Sequence, residues 1–552
     1  IPMDFRIGVN LNSHGGNQLA AGNIDGRDNI TSRNVALYVT SGQRKELTVA
    51  NGYFPATTNL KAHTTTNKYG VGIGTAAGTQ VGYPDLNTSA HAIKNLEITD
   101  YRVDFGKYSK DNIAIVARNG SVVELNPSQA TITDGQDQNT PEGDRAEGTI
   151  IGFAEGVWYN PRPATIGQNN GAAITSPNQP VVTDGRAGQK YVPQFGSSVL
   201  IRKPMELGSK KAVAVFAKDG AKIETKSITI YGGESTAAFA TSTKKWANEP
   251  HETDTTKGGG TAAASTIKVE GDISLTNGNK NKGVIAINDN GDGASVEVTG
   301  NATVKGLGAF AKGTNTSVTI TGNASNLTSG DDGSLVALNG GKIKFGGGTI
   351  THDIAGDKLP FYSANGSQLT FENKTTINIS KGLLFYGNAS DFTAASSGTS
   401  LYNGMSNVTV NLKGHGVNLG VFKNVDAVWD GTDNYLNNST NGLKNIPKVA
   451  AINTKEGTTE YWYKTSLDGG KLTIKTDINR DSISSGSTKR DGFNDIVLER
   501  KQVILEDGKI VTSTQGRGMF LGSNVNATSN AESGYTLKKG TFNISNGTNA
   551  TT

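Results

Sequence analysis

Several residue groupings in this 552-residue chain have the types and spacing to do chemistry. His14-Gly15-Gly16 and Gly398-Thr399-Ser400 supply an imidazole and a hydroxyl, the pair that nucleophilic hydrolysis uses. The nearest acid before that histidine, Asp4, stands too close to it in sequence, and no amphipathic helix flanks either segment to build an α/β scaffold. Asn288-Asp289-Asn290-Gly291-Asp292-Gly293 carries oxygen side chains at alternate positions and glycine at the sixth, as in the first half of a calcium loop. The twelfth position needs a bidentate acid and is Thr299, so the segment reads as a solvated corner. The histidines, His14, His63, His91, His251, His352 and His415, are isolated and lack ligand spacing. No metal or cofactor is expected. Hydrolysis of a glycoside needs two carboxylates about 5–10 Å apart. Asp491 with Asp495, and Asp426 with Asp430, are the candidate pairs, although acids are common in turns. No catalytic residue is assigned, and the chain is not expected to be an enzyme.

Aromatic residues carry the binding signal, because the apolar face of a sugar stacks on a ring. Trp158 lies in Gly-Val-Trp-Tyr-Asn-Pro-Arg-Pro beside Tyr159 and Arg162, where a long polar excursion begins. Trp246 lies within the excursion 241–265, Trp429 in Ala-Val-Trp-Asp, and Trp462 between Tyr461 and Tyr463. These six residues, Trp158, Tyr159, Arg162, Trp246, Trp429 and Trp462, are the ligand-binding candidates. Rings that cap a core or pack under loops are the competing reading for each.

The elements that must position them repeat. Residues 211–230, KAVAVFAKDGAKIETKSITI, run as an alternating apolar stretch, a Lys-Asp-Gly turn and a second alternating stretch. The plan returns at 35–49, 112–125, 284–298, 308–320, 335–345 and 361–371. Aligned on the second stretch, Val296, Val318, Ile343 and Leu369 follow one another at a loose period in the low-to-mid twenties. Thr-Gly-Asn-Ala starts at Thr299 and again at Thr321, the same step as from Val296 to Val318. Period-2 alternation excludes helical repeats. A leucine-rich consensus is absent, and a propeller blade needs roughly 40 residues. The prediction is a right-handed parallel β-helix, an all-β solenoid with loop insertions, forming an elongated rod. At about 4.8 Å per coil, roughly twenty coils would span on the order of 100 Å. Polar excursions at 134–147, 160–189 and 241–265 divide the chain into a loop-decorated part, 1–240, expected to carry the recognition surface, a linker or large insertion, 241–265, and a plainer rod, 266–552.

Composition fits this reading. With 35% hydrophobic residues, 71 glycines and 14 prolines, the chain suits short strands joined by many turns. A net charge of +4 with interspersed Lys and Asp gives no basic stripe for nucleic acid. The absence of cysteine fits bacterial export, where periplasmic oxidation would trap an unfolded chain. The start at Ile1-Pro2-Met3 reads as a segment of something longer.

The short, Cys-free, Gly/Asn/Thr-rich coils resemble the passenger of a bacterial monomeric (type V) autotransporter. Segments such as AVAVFAKDGAKIE and GAFAKGTNTSVTI are similar to the very large outer-membrane adhesins of fusobacteria. The resemblance rests on no catalytic motif. It implies display on the bacterial cell surface, or secretion, through a C-terminal barrel that these residues do not include. It also implies adhesion, as a monomer, to host glycans, host protein receptors or other bacteria. A β-helical polysaccharide-degrading enzyme, a tailspike-like glycan-binding protein and a purely structural stalk are the alternatives.

Overall fold

The structure is a computed structural model that describes residues 110–157, 196–246, 262–392, 400–423 and 449–463, short gaps aside, and the backbone of further strands beyond them. Strands make up 59% of it and helices 4%, with a large parallel sheet and, among the described residues, no closed barrel, which defines an all-β parallel solenoid. Two compact units divide the chain: Ile1–Gly330 with Val336–Lys344, and Asp331–Leu335 with Phe345–Thr552. The 241–265 excursion lies inside the first.

In the first unit, Val213–Lys218 and Lys222–Ile230 form one rung rather than a hairpin. The former pairs in parallel with Thr236–Ser242, the latter with Ser265–Leu275. Three faces result. The first stacks Asn112–Arg118, Ile150–Glu155, Val213–Lys218, Thr236–Ser242, Asn281–Asn288 and the end of Ala302–Lys312. The second stacks Val122–Leu125, Ser198–Ile201, the starts of Lys222–Ile230 and Ser265–Leu275, then Ala294–Val298 and Thr316–Ile320. A shorter third face includes Met205–Leu207 and Ser325–Thr328.

On the second face Val199, Ile223, Ile267, Val296 and Val318 stand in register. The step from Val296 to Val318 read from the sequence is therefore a true coil. The much longer step from Ile223 to Ile267 is a coil carrying the 241–265 excursion. These side chains point inward and are buried. Each contributes on the order of 2 kcal/mol by leaving water. The repeated Thr-Gly-Asn-Ala tetrads also stack, with the Gly322 amide donating to the Gly300 carbonyl at 2.9 Å.

The first face is apolar on both sides. A Cβ placed on Gly152 would lie 3.1 Å from Val199 Cγ1, so this position faces inward, as do its register partners Val215, Ala238, Val284 and Ala309. The next residue of each strand then points outward. That outward column is Val116, Phe153, Phe216, Phe239, Ile285 and Phe310. Phe153 and Phe216 ring centroids are 5.1 Å apart, and Phe216 and Phe239 are 4.7 Å apart. Phe153 and Phe216 are buried, whereas Phe239, Ile285 and Phe310 are half-buried.

The second unit stacks Gly348–Asp353, Thr375–Lys381, Val408–Leu412 and Ala451–Asn453 in parallel. Its core is aromatic: Phe361, Phe371, Phe385, Phe392, Tyr402 and Phe422 pack edge-to-face or stacked. The Tyr402 hydroxyl accepts the Ser363 amide at 3.0 Å, so the single polar atom of that ring is satisfied. On the outer side of the stack Asn411 donates to Asn378 at 3.1 Å and Asn453 donates to Asn411 at 2.8 Å, a carboxamide ladder in register. Replacing Asn411 with Ala breaks both links and is expected to lower the stability of this unit by about 1 kcal/mol, read as the urea midpoint of unfolding.

His352 is 0% exposed. Its Nε2 lies 2.9 Å from the Lys358 carbonyl, and its Nδ1 has no partner. Burial holds its pKa below the ordinary imidazole value of 6.5. A second ring proton would face the interior unpaired, so the neutral ring is the folded form. A depressed folded pKa gives stability that is present above the unfolded value and lost as pH falls below it. Chemical denaturation at about pH 5 and about pH 7.5 is expected to show a loss at the lower pH that is smaller in His352→Asn.

A polar cleft at the excursion-bearing corner

The first and second faces of the first unit meet at a corner that is built in two ways. In the tight form, Asp219, Asn290, Asn315 and Asn339 reverse the chain with φ between 51° and 58°. Asparagine and aspartate tolerate this left-handed conformation better than other side chains. In the open form the same corner emits an excursion. One leaves after Ile150–Glu155 and returns at Ser198–Ile201. Its stem is the antiparallel pair Val157–Trp158 and Phe195–Gly196. The other leaves after Thr236–Ser242 and returns at Ser265–Leu275. Both long excursions are thus rooted on one edge, two coils apart.

The second root is bolted to the coils on each side. Asp219, at the preceding corner, accepts the Thr243 amide at 2.6 Å and its hydroxyl at 2.9 Å. The Trp246 indole N–H donates to the Asp219 carbonyl at 3.0 Å. At the following corner one Asp292 oxygen accepts the amides of Trp246, at 3.1 Å, and Ala263, at 2.8 Å, gripping the outgoing and returning strands together. The Asp292 amide donates to Ser242 Oγ at 3.0 Å, and the Asp289 amide to the Ser242 carbonyl at 2.8 Å. The resemblance of 288–293 to a calcium loop has this physical content: Asn288 Oδ1 closes the turn on the Gly291 amide at 2.8 Å, its Nδ2 reaches the Thr314 carbonyl at 2.6 Å, and Asp292 holds main-chain amides. Among the described residues no cluster of His, Asp or Glu could hold a metal ion.

Beside this root opens a cleft of about 430 Å³. Lys245 enters from the excursion, and Asp289, Asn290, Lys312, Asn315 and Asn339 enter from three successive corners. All six are exposed. With Asp292 also lining the wall, two ammonium groups balance two carboxylates.

Of the ligand-binding candidates read from the sequence, only Trp246 has a described side chain, and it is not an open platform. It is 8% exposed, and a Cβ on Gly156 or Gly220 would sit 3.8 Å from its Cζ2 or 3.1 Å from its Nε1. Two glycines with positive φ make the seat into which the ring closes the excursion root. Lys244 caps its face at 5.4 Å. Trp158 and Trp429 fall in the strands Val157–Trp158 and Ala427–Trp429, but their side chains lie outside the described residues, as do Tyr159, Arg162 and Trp462. So do the acid pairs Asp426 with Asp430 and Asp491 with Asp495, and His14. Ser400 is buried. The excursion at 134–147 is tied down by fully buried Asp134. Its carboxylate accepts the amides of Gln136, Gly208 and Ser209 and the Ser209 hydroxyl, while burial raises its pKa. The cleft escapes a reading of the sequence because its residues come from three corners, at Asn290, Asn315 and Asn339, each a full coil from the next. The signal present was the recurrence of Asn or Asp at each corner.

No protein-family model, curated protein sequence or solved structure matches this chain.

Trp246→Ala empties the seat over Gly156 and Gly220. It is expected to cost about 3 kcal/mol of local stability, read as faster exchange of the Thr243 and Ala263 amides and of the main-chain amide at position 246, with unchanged exchange in the second unit.

Proposed function

We infer that this chain is a surface adhesin of the autotransporter-passenger kind, held outside a bacterial cell and attaching it to host glycans, host protein receptors or other bacteria. The observation that carries the reading is the shared edge: both long excursions leave the solenoid at the same corner, and a polar cleft opens beside one root. A solenoid that keeps its coil register past such insertions can present them without disturbing its core. Contacts of modest strength on one edge act together when many copies face a surface, so avidity supplies the attachment. The chemistry is recognition: the cleft presents carboxamides, ammonium groups and carboxylates, groups that exchange hydrogen bonds with a hydroxyl-rich surface.

The test shortens residues 248–261 to a flexible link, leaving Trp246 and Ala263 in place. Adhesion of protein-coated beads to host cells or to partner bacteria is expected to fall about tenfold or more because many contacts are lost at once, with the far-UV β signal unchanged. Undiminished adhesion would move the site elsewhere. Release of reducing sugar from a polysaccharide panel would replace the adhesin reading with a hydrolase.

A further inference from the structure

We propose that the corner cleft and the outward apolar column beside it form one binding site for a neutral oligosaccharide. The inference rests on the adhesin reading and assigns its ligand. Two separate features meet here. The first is the column Phe239, Ile285 and Phe310, half-buried and pointing away from the coil interior, at one position per coil. Successive coils set these side chains about 4.8 Å apart along the stack, close to the advance of one sugar ring. The C–H faces of pyranose rings bury their apolar area on such a strip.

The second feature is the polar wall. Beyond Phe310, at the next position on the same side of the strand, stands Lys312, roughly 7 Å further on. Lys312 lines the cleft with Asp289, Asn290 and Asn315. Among the described residues, none of these four side chains makes an ion pair or a hydrogen bond. Sugar hydroxyls both donate and accept. An asparagine amide does the same, a carboxylate accepts from a vicinal pair, and an ammonium donates to ring or hydroxyl oxygens. Apolar strip and polar wall together match an amphipathic ring, apolar on its faces and polar at its rim. The charge of the wall decides the class. Lys245 and Lys312 are balanced by Asp289 and Asp292, and no Arg fork is present among the lining residues to chelate a carboxylate or sulfate bidentately. A neutral saccharide meets no uncompensated charge in this cleft, whereas a sialylated or sulfated one brings charge that the wall does not neutralise.

The test is binding of the full 552-residue chain to immobilised neutral and acidic oligosaccharides, galactose- and glucose-based on one side, sialylated and sulfated on the other. A neutral glycan is expected to bind, with an affinity that changes less than about twofold when salt is raised from about 50 to about 500 mM. Phe310→Ala, and separately Asp289→Ala with Lys312→Ala, are each expected to weaken that binding about tenfold, one through lost stacking and the other through lost hydrogen bonds. Both lie at the surface, and an unchanged far-UV spectrum and urea midpoint exclude unfolding as the cause. A preference for acidic glycans that collapses with salt overturns the neutral assignment. Wild-type affinity in both variants overturns the site while the adhesin reading stands. If no glycan binds but the coated beads still adhere to cells, the oligosaccharide proposal fails alone. If the beads do not adhere at all, the adhesin reading fails with it.

Discussion

Every other feature of the molecule depends on parallel main-chain pairing between one coil and the next. Such pairing satisfies the amides and carbonyls of each coil only through its neighbours, so a coil has little independent existence. It also fixes side chains in columns. Ile223, Ile267, Val296 and Val318 are one inward column because each pairs directly with the next, and one misregistered residue would turn the whole column outward. A narrow interior filled by such columns explains how a chain with 35% hydrophobic residues buries a continuous core. The same constraint makes corners critical, since every coil must turn at the same places to keep register.

The corners meet that demand with backbone chemistry rather than bulk. Asn290, Asn315 and Asn339 adopt a conformation that costs most side chains strain, at successive coils on one edge. Asp219 and Asp292 do more, using their carboxylates to hold main-chain amides of the excursion that begins between them. Trp246 completes the root by burying its ring over two glycines. In the first unit the polar groups nearest the cleft are therefore divided between two tasks. Asn288, Asp219 and Asp292 fasten the chain, and Asp289, Asn290, Lys312 and Asn315 face solvent.

The repeating strands were legible in the sequence because alternation, and the step from Val296 to Val318, are direct images of pleat and coil length. Three things were not. The alternation in Val213–Lys218 is apolar at both phases, so sequence alone could not reveal that Phe216 faces outward while Val215 faces inward. Whether Trp246 is a binding ring or one packed under a loop stayed open in the sequence because the glycines that enclose it, Gly156 and Gly220, belong to other coils. The common origin of the two long excursions depends on which faces each one connects, a property of the stacking and not of either segment. The calcium-like spacing at 288–293 was legible as a corner, but the partners of Asp292 come from residues 242–263, which no local motif announces.

The bolted root also bears on how such a chain can change over generations. Because Asp219 and Asp292 fix both ends of the excursion, the register of the coils on either side no longer depends on what lies between Trp246 and Ala263. Lengthening a closed loop costs only about 0.6 kcal/mol per doubling, so growing that corner severalfold in length costs roughly 1–2 kcal/mol. Insertions and deletions at this one edge are therefore nearly invisible to folding, while any insertion inside a strand would throw its column out of phase. Variation is channelled to this one edge, and the scaffold need not be rebuilt when the excursion changes in length or sequence.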